Sequence, residues 1–238
     1  MKIAERVLYR DGWILVLDKP AGVPVHAGPG GGESLESYFD ALRFGLPRPP
    51  FLAHRLDRDT SGCLVLGRHK QALRKLGEVF ASGSVEKTYW ALTDSVPHEP
   101  RGRLEYALKK VSTKAGGWRM IVTPDGQRAI TDYVVMGQDP ATGRAWLALT
   151  PLTGRTHQIR VHLAALGCPV AGDRQYGQPG DSRPLHLHAR SIVLPIYSEK
   201  PPVSVTAPVP PHLIDSFAAC GYDETLGENG HGKSARRY

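Results

Sequence analysis

Between Phe51 and Leu66 the chain runs from a charged segment, His54-Arg55-Leu56-Asp57-Arg58-Asp59, through Thr60-Ser61-Gly62 into the apolar run Cys63-Leu64-Val65-Leu66. An apolar run bounded by glycine reads as a buried strand. Two carboxylates and two guanidinium groups thus stand at the mouth of a buried strand, where unpaired charge is costly. A carboxylate held beside arginine suits a nucleophile or an electrostatic stabiliser. The same residues also fit a surface ion-pair turn, with Thr-Ser-Gly as ordinary turn chemistry. A motif this short leaves both readings open.

Other polar clusters point away from metals and nucleotides. His157 and His162 are five residues apart, so they do not share a helix face as two zinc ligands four apart would. His186 and His188 share a strand face but lack a third convergent ligand, and read as polar sheet residues. Gly28 to Gly32 lacks the Gly-Lys-Ser/Thr ending of a phosphate loop. Cys63, Cys168 and Cys220 are odd in number and widely spaced, and fit neither a disulfide framework nor a zinc site. The residues themselves thus give neither a metal site nor a nucleotide loop.

Four stretches, taken together, resemble the RluA-like family of RNA pseudouridine synthases. They are His54-Arg-Leu-Asp-x-x-Thr-Ser-Gly62, Asp18-Lys-Pro-x-Gly22 followed by Val25-His26, Lys87-x-Tyr89, and Gly154-Arg-Thr-His-Gln-Ile-Arg-x-His162. The segment Pro169 to Gly177 continues the pattern, and the likeness runs from about residue 7 to about residue 219. The resemblance implies an isomerase that converts RNA uridine to pseudouridine, with Asp57 as the catalytic residue and with no metal or organic cofactor. It implies Arg160 as the salt-bridge partner of Asp57, Tyr89 as the aromatic that stacks on the target base, and Ile159 as an apolar wall. Arg55 joins these as a substrate-binding residue. Lys19, Arg58, Arg155, Lys70 and Arg74 are expected to touch RNA, with Lys19 also shaping the site floor. On the residues alone, Tyr89 reads equally as a core tyrosine with a satisfied hydroxyl.

The elements that must position these groups follow from periodicity. Residues 7–17 read as a hairpin turning at Asp11-Gly12. Helices are expected over Glu33–Phe44, with Ser34 as the start signal, over Lys70–Ala81, over Thr156–Leu166, with Thr156 as N-cap and Gly167 beyond its end, and over His212–Ala219. Strands are expected over 85–92, 146–150 and 185–189. Residues 101–135 read as a basic, strand-rich insert turning at Gly116-Gly117 and Asp125-Gly126, and 195–211 as a Pro-rich wrap. The expected fold is α+β: a mixed, mostly antiparallel central sheet with flanking helices and a central RNA-binding cleft. Residues 1–219 form the catalytic domain in this reading, and 220–238 a polar, disordered tail.

Composition agrees with a packed domain that meets a polyanion. Hydrophobic residues make up 41% of the 238, enough for a core, and the formal net charge is +7. Basic residues outnumber acidic ones by six over 43–75 and by five over 101–128, as phosphate contacts require. No apolar run approaches ~18 residues, so no membrane span is expected. Met1–Arg6 is charged and not followed by a signal-type segment, and the cysteines form no disulfide framework, so a cytoplasmic location is expected; a monomer is also expected. Two other functions stay open: an RNA-binding protein that acts without chemistry, and a metal-dependent phosphotransferase built on Asp57-x-Asp59. The latter pattern wants Thr or Val where Ser61 stands.

Overall fold

The computed structural model describes residues 1–28, 31–113 and 117–223. Its strands are β1 (Val7–Arg10), β2 (Ile14–Lys19), β3 (Phe51–Leu52), β4 (Ser61–Gly67), β5 (Glu86–Thr93), β6 (Arg101–Thr113), β7 (Gly117–Val122), β8 (Gln127–Asp139), β9 (Arg144–Pro151), β10 (Leu187–Leu194) and β11 (Val203–Thr206). The α-helices are α1 (Lys70–Ala81), α2 (Gln158–Ala165) and α3 (Pro211–Ala219). The strands form one sheet in the order β1-β2-β4-β10-β5-β9-β8-β6-β7, with β3 beside β4 and β11 beside β10. Every pairing is antiparallel except β4 with β10. The architecture is therefore α+β on a mixed, mostly antiparallel sheet, as expected. No helix among the described residues is long and apolar enough to cross a membrane.

The β4–β10 junction divides the sheet into halves, and one glycine makes it possible. Gly62 has φ +103, and a Cβ there would lie 2.2 Å from the Ala189 carbonyl oxygen. Any side chain would push the halves apart. On the β1–β2–β4 side, alternation sets two cores. Val16 and Val65 face Leu76 and Val79 of α1, while Leu17, Leu64 and Leu66 face Leu35, Phe39 and Leu42. All seven residues of β4 are buried, as the apolar run required. On the other side, Ile159 and Leu163 of α2 pack on Leu147, Leu149 and Leu187. Leu213 and Phe217 of α3 pack on Trp90 and Trp146. Each fully buried Leu contributes about 1.5–3 kcal/mol, which fixes both halves around the junction.

Local differences from expectation have local causes. The 7–17 hairpin forms, but its turn is built by the Asp11 carboxylate, which accepts from the Trp13 and Ile14 N–H groups at 2.7 and 2.8 Å. Leu35–Leu42 is a 3₁₀-helix and Ser34 makes no side-chain cap. Its leading Leu35 and Glu36 N–H groups bond instead to the carbonyls of Pro24 and Val25. Thr156 is not at the N-cap of α2: His157 holds that position, in the left-handed region at φ 52 and with no side-chain cap, and the helix starts at Gln158. The Gln158 amide oxygen accepts from the Arg155 N–H and the Thr153 hydroxyl, so this side chain ties down the helix entry. The Pro-rich stretch contributes β11 to the sheet. Packing also continues past residue 219, since Cys220 is buried and Tyr222 joins the Trp90–Trp146 cluster. Residues 224–238 of the expected tail, and Gly116 of the expected turn, lie outside the described residues.

Candidate active site

Asp57 stands at the tip of a reversal that the fold pins from both sides. Phe51 and Leu52 pair with β4. The Ala53 N–H then bonds to the Val65 carbonyl, and the Val65 N–H donates to His54 Nε2 at 3.0 Å. Burial pushes the His54 imidazole down to about 4, so it stays neutral and free to accept. The chain turns back through Asp57, whose carbonyl accepts from the Thr60 N–H, and re-enters the sheet at Ser61. Lys19 holds the far side. Its side chain is 0% exposed, and Nζ donates to the carbonyls of Pro20, Arg58 and Thr60 at 2.8, 2.8 and 2.9 Å. All three ammonium protons are used, so the expected contact of Lys19 with RNA is corrected: it is a floor residue. Burial lowers its pKa to about 8, with Asp59, Asp57 and Asp18 opposing the shift.

Across the junction, α2 brings Arg160 to Asp57. Arg160 Nη1 lies 3.4 Å from Asp57 Oδ2, their side chains 12% and 18% exposed. The guanidinium is already committed elsewhere: Nε and Nη2 clamp Asp173 at 2.7 and 2.8 Å. Asp173 is fully enclosed, and its Oδ1 also accepts from the Gln175 and Tyr176 N–H groups. Burial works against both charges. The hydrogen bonds of the pair outweigh it, so the Asp173 carboxyl sits below its ordinary pKa and Arg160 above its own. A bidentate fork of this kind fixes the arginine in space.

Asp57 opens onto a pocket of about 120 Å³ walled by Leu56, Tyr89, Ile159, Leu187 and Lys87. A cavity of about 150 Å³ can hold a benzene ring, so the space is the size of one planar ring. Burial, and then the charge of Asp57, push the Tyr89 phenol above its ordinary pKa. Lys87 is two residues from Tyr89 on the same strand face, and its ammonium is lowered by burial. Among the described residues Lys87 has no ion-pair partner. A second groove, of about 680 Å³, shares Arg55, Asp57, His157 and Arg160 with the pocket. A third, of about 470 Å³, joins it through Gly154, Arg155 and Thr156 and runs along Lys109 and Lys110 of β6.

The structure thus brings together Asp57, Arg55, Tyr89, Ile159 and Arg160. Arg58 lines the larger groove, where it makes a bidentate pair with Asp59 at 3.0 and 3.1 Å. Arg155 stands on the rim, its Nε donating to the Arg128 carbonyl. Lys70 and Arg74 are not brought to the pocket. They lie on α1, which follows the far end of β4, about 20 Å away at ~3.3 Å per residue. Helical exposure suggested a phosphate contact, but neither residue lines the pocket or the two grooves beside it. Four residues went unmarked: Lys87, Asp173, Tyr176 and Trp118. The first three lie inside the stretches quoted above. Trp118 carried no signal, because only the folded β6–β7 hairpin lays it on His157. Asp59 is turned to Arg58 rather than toward Asp57, and among the described residues no group of three or more His, Cys, Asp or Glu could hold a metal. Nothing in this geometry favours the phosphotransferase reading.

Comparisons with known proteins converge on one family. Residues 13–165 match the family model described as RNA pseudouridylate synthase. The chain is 42% identical over 216 residues to an uncharacterized RNA pseudouridine synthase of Zymomonas mobilis, covering 90% of this chain and 97% of that one. It is 33% identical over 214 residues to the ribosomal large subunit pseudouridine synthase C of Buchnera aphidicola, covering 85% of this chain and 66% of that one. Among solved structures, human RNA pseudouridylate synthase domain containing 4 superposes with a TM-score of 0.76 at 27% identity, covering 92% and 94%.

Proposed function

The chain belongs to the RNA pseudouridylate synthase family, enzymes that isomerise RNA uridine to pseudouridine, and from that premise we propose that Asp57 is its catalytic carboxylate, acting on a flipped-out uridine. The observation that carries this reading is the ring-sized pocket with Asp57 at its mouth, Tyr89 and Ile159 in its walls and Arg160 behind the carboxylate.

The reaction breaks the N1–C1′ bond, turns the uracil and rejoins it through C5. A site for it must hold a detached base, exclude water and present one carboxylate. The apolar walls serve the first two needs, and the fork-held Arg160 orients Asp57 for the third. Tyr89 stacks on the base, and Arg55, exposed beside Asp57, fills the gap that the base leaves or contacts the backbone. Extruding a base costs a few kcal/mol, least where it is already unpaired. Loop uridines of rRNA or tRNA stem-loops are therefore the proposed substrates. The two grooves that flank the pocket give the strand a path, with Arg58, Arg155, Lys109 and Lys110 available to phosphates. Action as a cytoplasmic monomer completes the proposal.

Nucleoside mass spectrometry on unmodified rRNA and tRNA transcripts tests it, with Asp57→Asn alongside. Pseudouridine from the wild type and none from the variant is the expected result. Unaltered pseudouridine formation by Asp57→Asn overturns the assignment. RNA binding with no product from either protein favours the alternative of an RNA-folding protein without chemistry.

A further inference from the structure

His157 faces the one oxygen of Asp57 that Arg160 leaves alone. Its Nε2 lies 3.9 Å from Asp57 Oδ1, while Arg160 Nη1 approaches Oδ2. The other ring nitrogen, Nδ1, lies 2.8 Å from the Tyr176 hydroxyl. That hydroxyl accepts from the Met120 N–H at 3.0 Å. A phenol has one proton to give, and His157 Nδ1 is its acceptor among the described residues. With the phenol proton on that acceptor, Nδ1 is unprotonated and a neutral His157 carries its own proton on Nε2, toward Asp57.

The surroundings hold the ring in that pose at some expense. His157 has φ 52, an unfavourable backbone conformation for a residue with a side chain. Such a conformation persists only where neighbours over-determine it. Trp118 of β7 stacks on the imidazole at 4.9 Å between centroids and 29° between planes. Tyr176 meets its edge, and Arg160 lies over the Tyr176 ring at 5.0 Å. The charged groups around His157 are Asp57, Arg160, Asp173 and Arg55, of which Asp57 and Asp173 favour an imidazolium while the two arginines oppose it. Burial is the largest influence and keeps the ring below its ordinary pKa, hence neutral at pH 7.

Resting on the functional reading above, we infer that His157 is a positioning residue, whose Nε2–H, set by Tyr176, holds Asp57 Oδ1 while Arg160 holds Oδ2. At 3.9 Å the contact is longer than a hydrogen bond. Catalytic contacts in empty sites are often long and tighten when substrate fills them. A closure of about 1 Å as the base enters brings Nε2 and Oδ1 within hydrogen-bond distance. The carboxylate is then oriented at both oxygens rather than one.

Single-turnover rates and RNA dissociation constants on a transcript that the wild type modifies test this. The variants are His157→Phe, His157→Gln, His157→Asn and Tyr176→Phe. Loss of one hydrogen bond to a charged group predicts a fall of roughly tenfold or more in rate for His157→Phe, with RNA affinity kept within about threefold. His157→Gln, which restores an amide donor, recovers most of the rate. His157→Asn tolerates the left-handed backbone but cannot reach, and falls with Phe, so a loss there is not misfolding. Tyr176→Phe lowers the rate alone and adds nothing on top of His157→Phe. A wild-type rate in His157→Phe, or equal losses for Phe and Gln, overturns the inference while leaving the assignment of Asp57 intact. No pseudouridine from the wild type on any transcript overturns the functional reading, and this inference with it.

Discussion

Two arginine forks flank the 172–185 segment, and they are used in opposite ways. Arg183 donates to Asp94 at 2.8 and 3.0 Å and to Asp181 at 2.7 Å, while Asp181 also accepts from the Gly172 and Arg183 N–H groups. Those bonds, led by Arg183, hold the Asp181 carboxyl far below the usual range. Arg160 makes an equally tight fork with Asp173, but its remaining nitrogen reaches Asp57 only at 3.4 Å, and His157 stands 3.9 Å from the other oxygen. One network satisfies its carboxylates. The other satisfies Asp173 and leaves Asp57 oriented but short of partners, facing a ring-sized pocket. A saturated carboxylate serves the fold, whereas an unsaturated one beside a pocket is available to substrate.

Breaking the comparison at its active end has the largest effect: Asp57→Asn takes pseudouridine formation to background on any transcript the wild type modifies, as measured by nucleoside mass spectrometry. Next comes Asp173→Asn, which loosens the fork that fixes Arg160. Breaking a buried ion pair costs about 3–5 kcal/mol, so denaturant unfolding shows a large loss of stability, and the rate falls although Asp57 is intact. Lys19→Met removes the ammonium bonds to the Pro20, Arg58 and Thr60 carbonyls, of which Arg58's keeps the Gly22 N–H, and costs about 2–3 kcal/mol in the same measurement. The Lys19 group also gives a pH signature. Its folded pKa, about 8, lies below the ordinary 10.5. Between those values the unfolded chain holds a proton that the folded one has lost. Stability of the wild type relative to Lys19→Met therefore rises from about pH 8 to 10.5, and is lowest below that window. Denaturation at both ends of the window checks the sign. Asp94→Asn, in the saturated network, has the smallest effect: it lowers stability by about 1–2 kcal/mol in denaturant unfolding and leaves the rate alone.

The sequence carried the broad outline because its signals are local. The apolar run after Gly62 had to be buried and the Gly-Arg-Thr-His-Gln-Ile-Arg stretch had to lead into a helix, whereas Asp57 and Arg160 became candidates through the family resemblance of those stretches. Lys19 was harder: lysine reads as a surface cation, and only the return of residues 58–60 beneath it supplies the carbonyls that bury it. Asp173 and Tyr176 lay in a stretch whose pattern was visible, but their partners sit 13 and 19 residues away across a loop. Helix entry at His157 defeated the capping rule because α2 has no side-chain cap, and the Gln158 side chain instead ties down the loop before it at Thr153 and Arg155. Lys70 and Arg74 show the converse. A basic helix face is legible in sequence, but which end of β4 it follows decides whether it meets the site.

The most direct test of the account sets two carboxylate-to-amide changes side by side, Asp57→Asn and Asp94→Asn, each scored for pseudouridine formation and for thermal unfolding. The account predicts that the first abolishes product while its Tm stays within about 2 °C of the wild type, and that the second keeps the wild-type rate with a Tm lower by several degrees. Activity retained by Asp57→Asn, or lost equally in both variants, would contradict it.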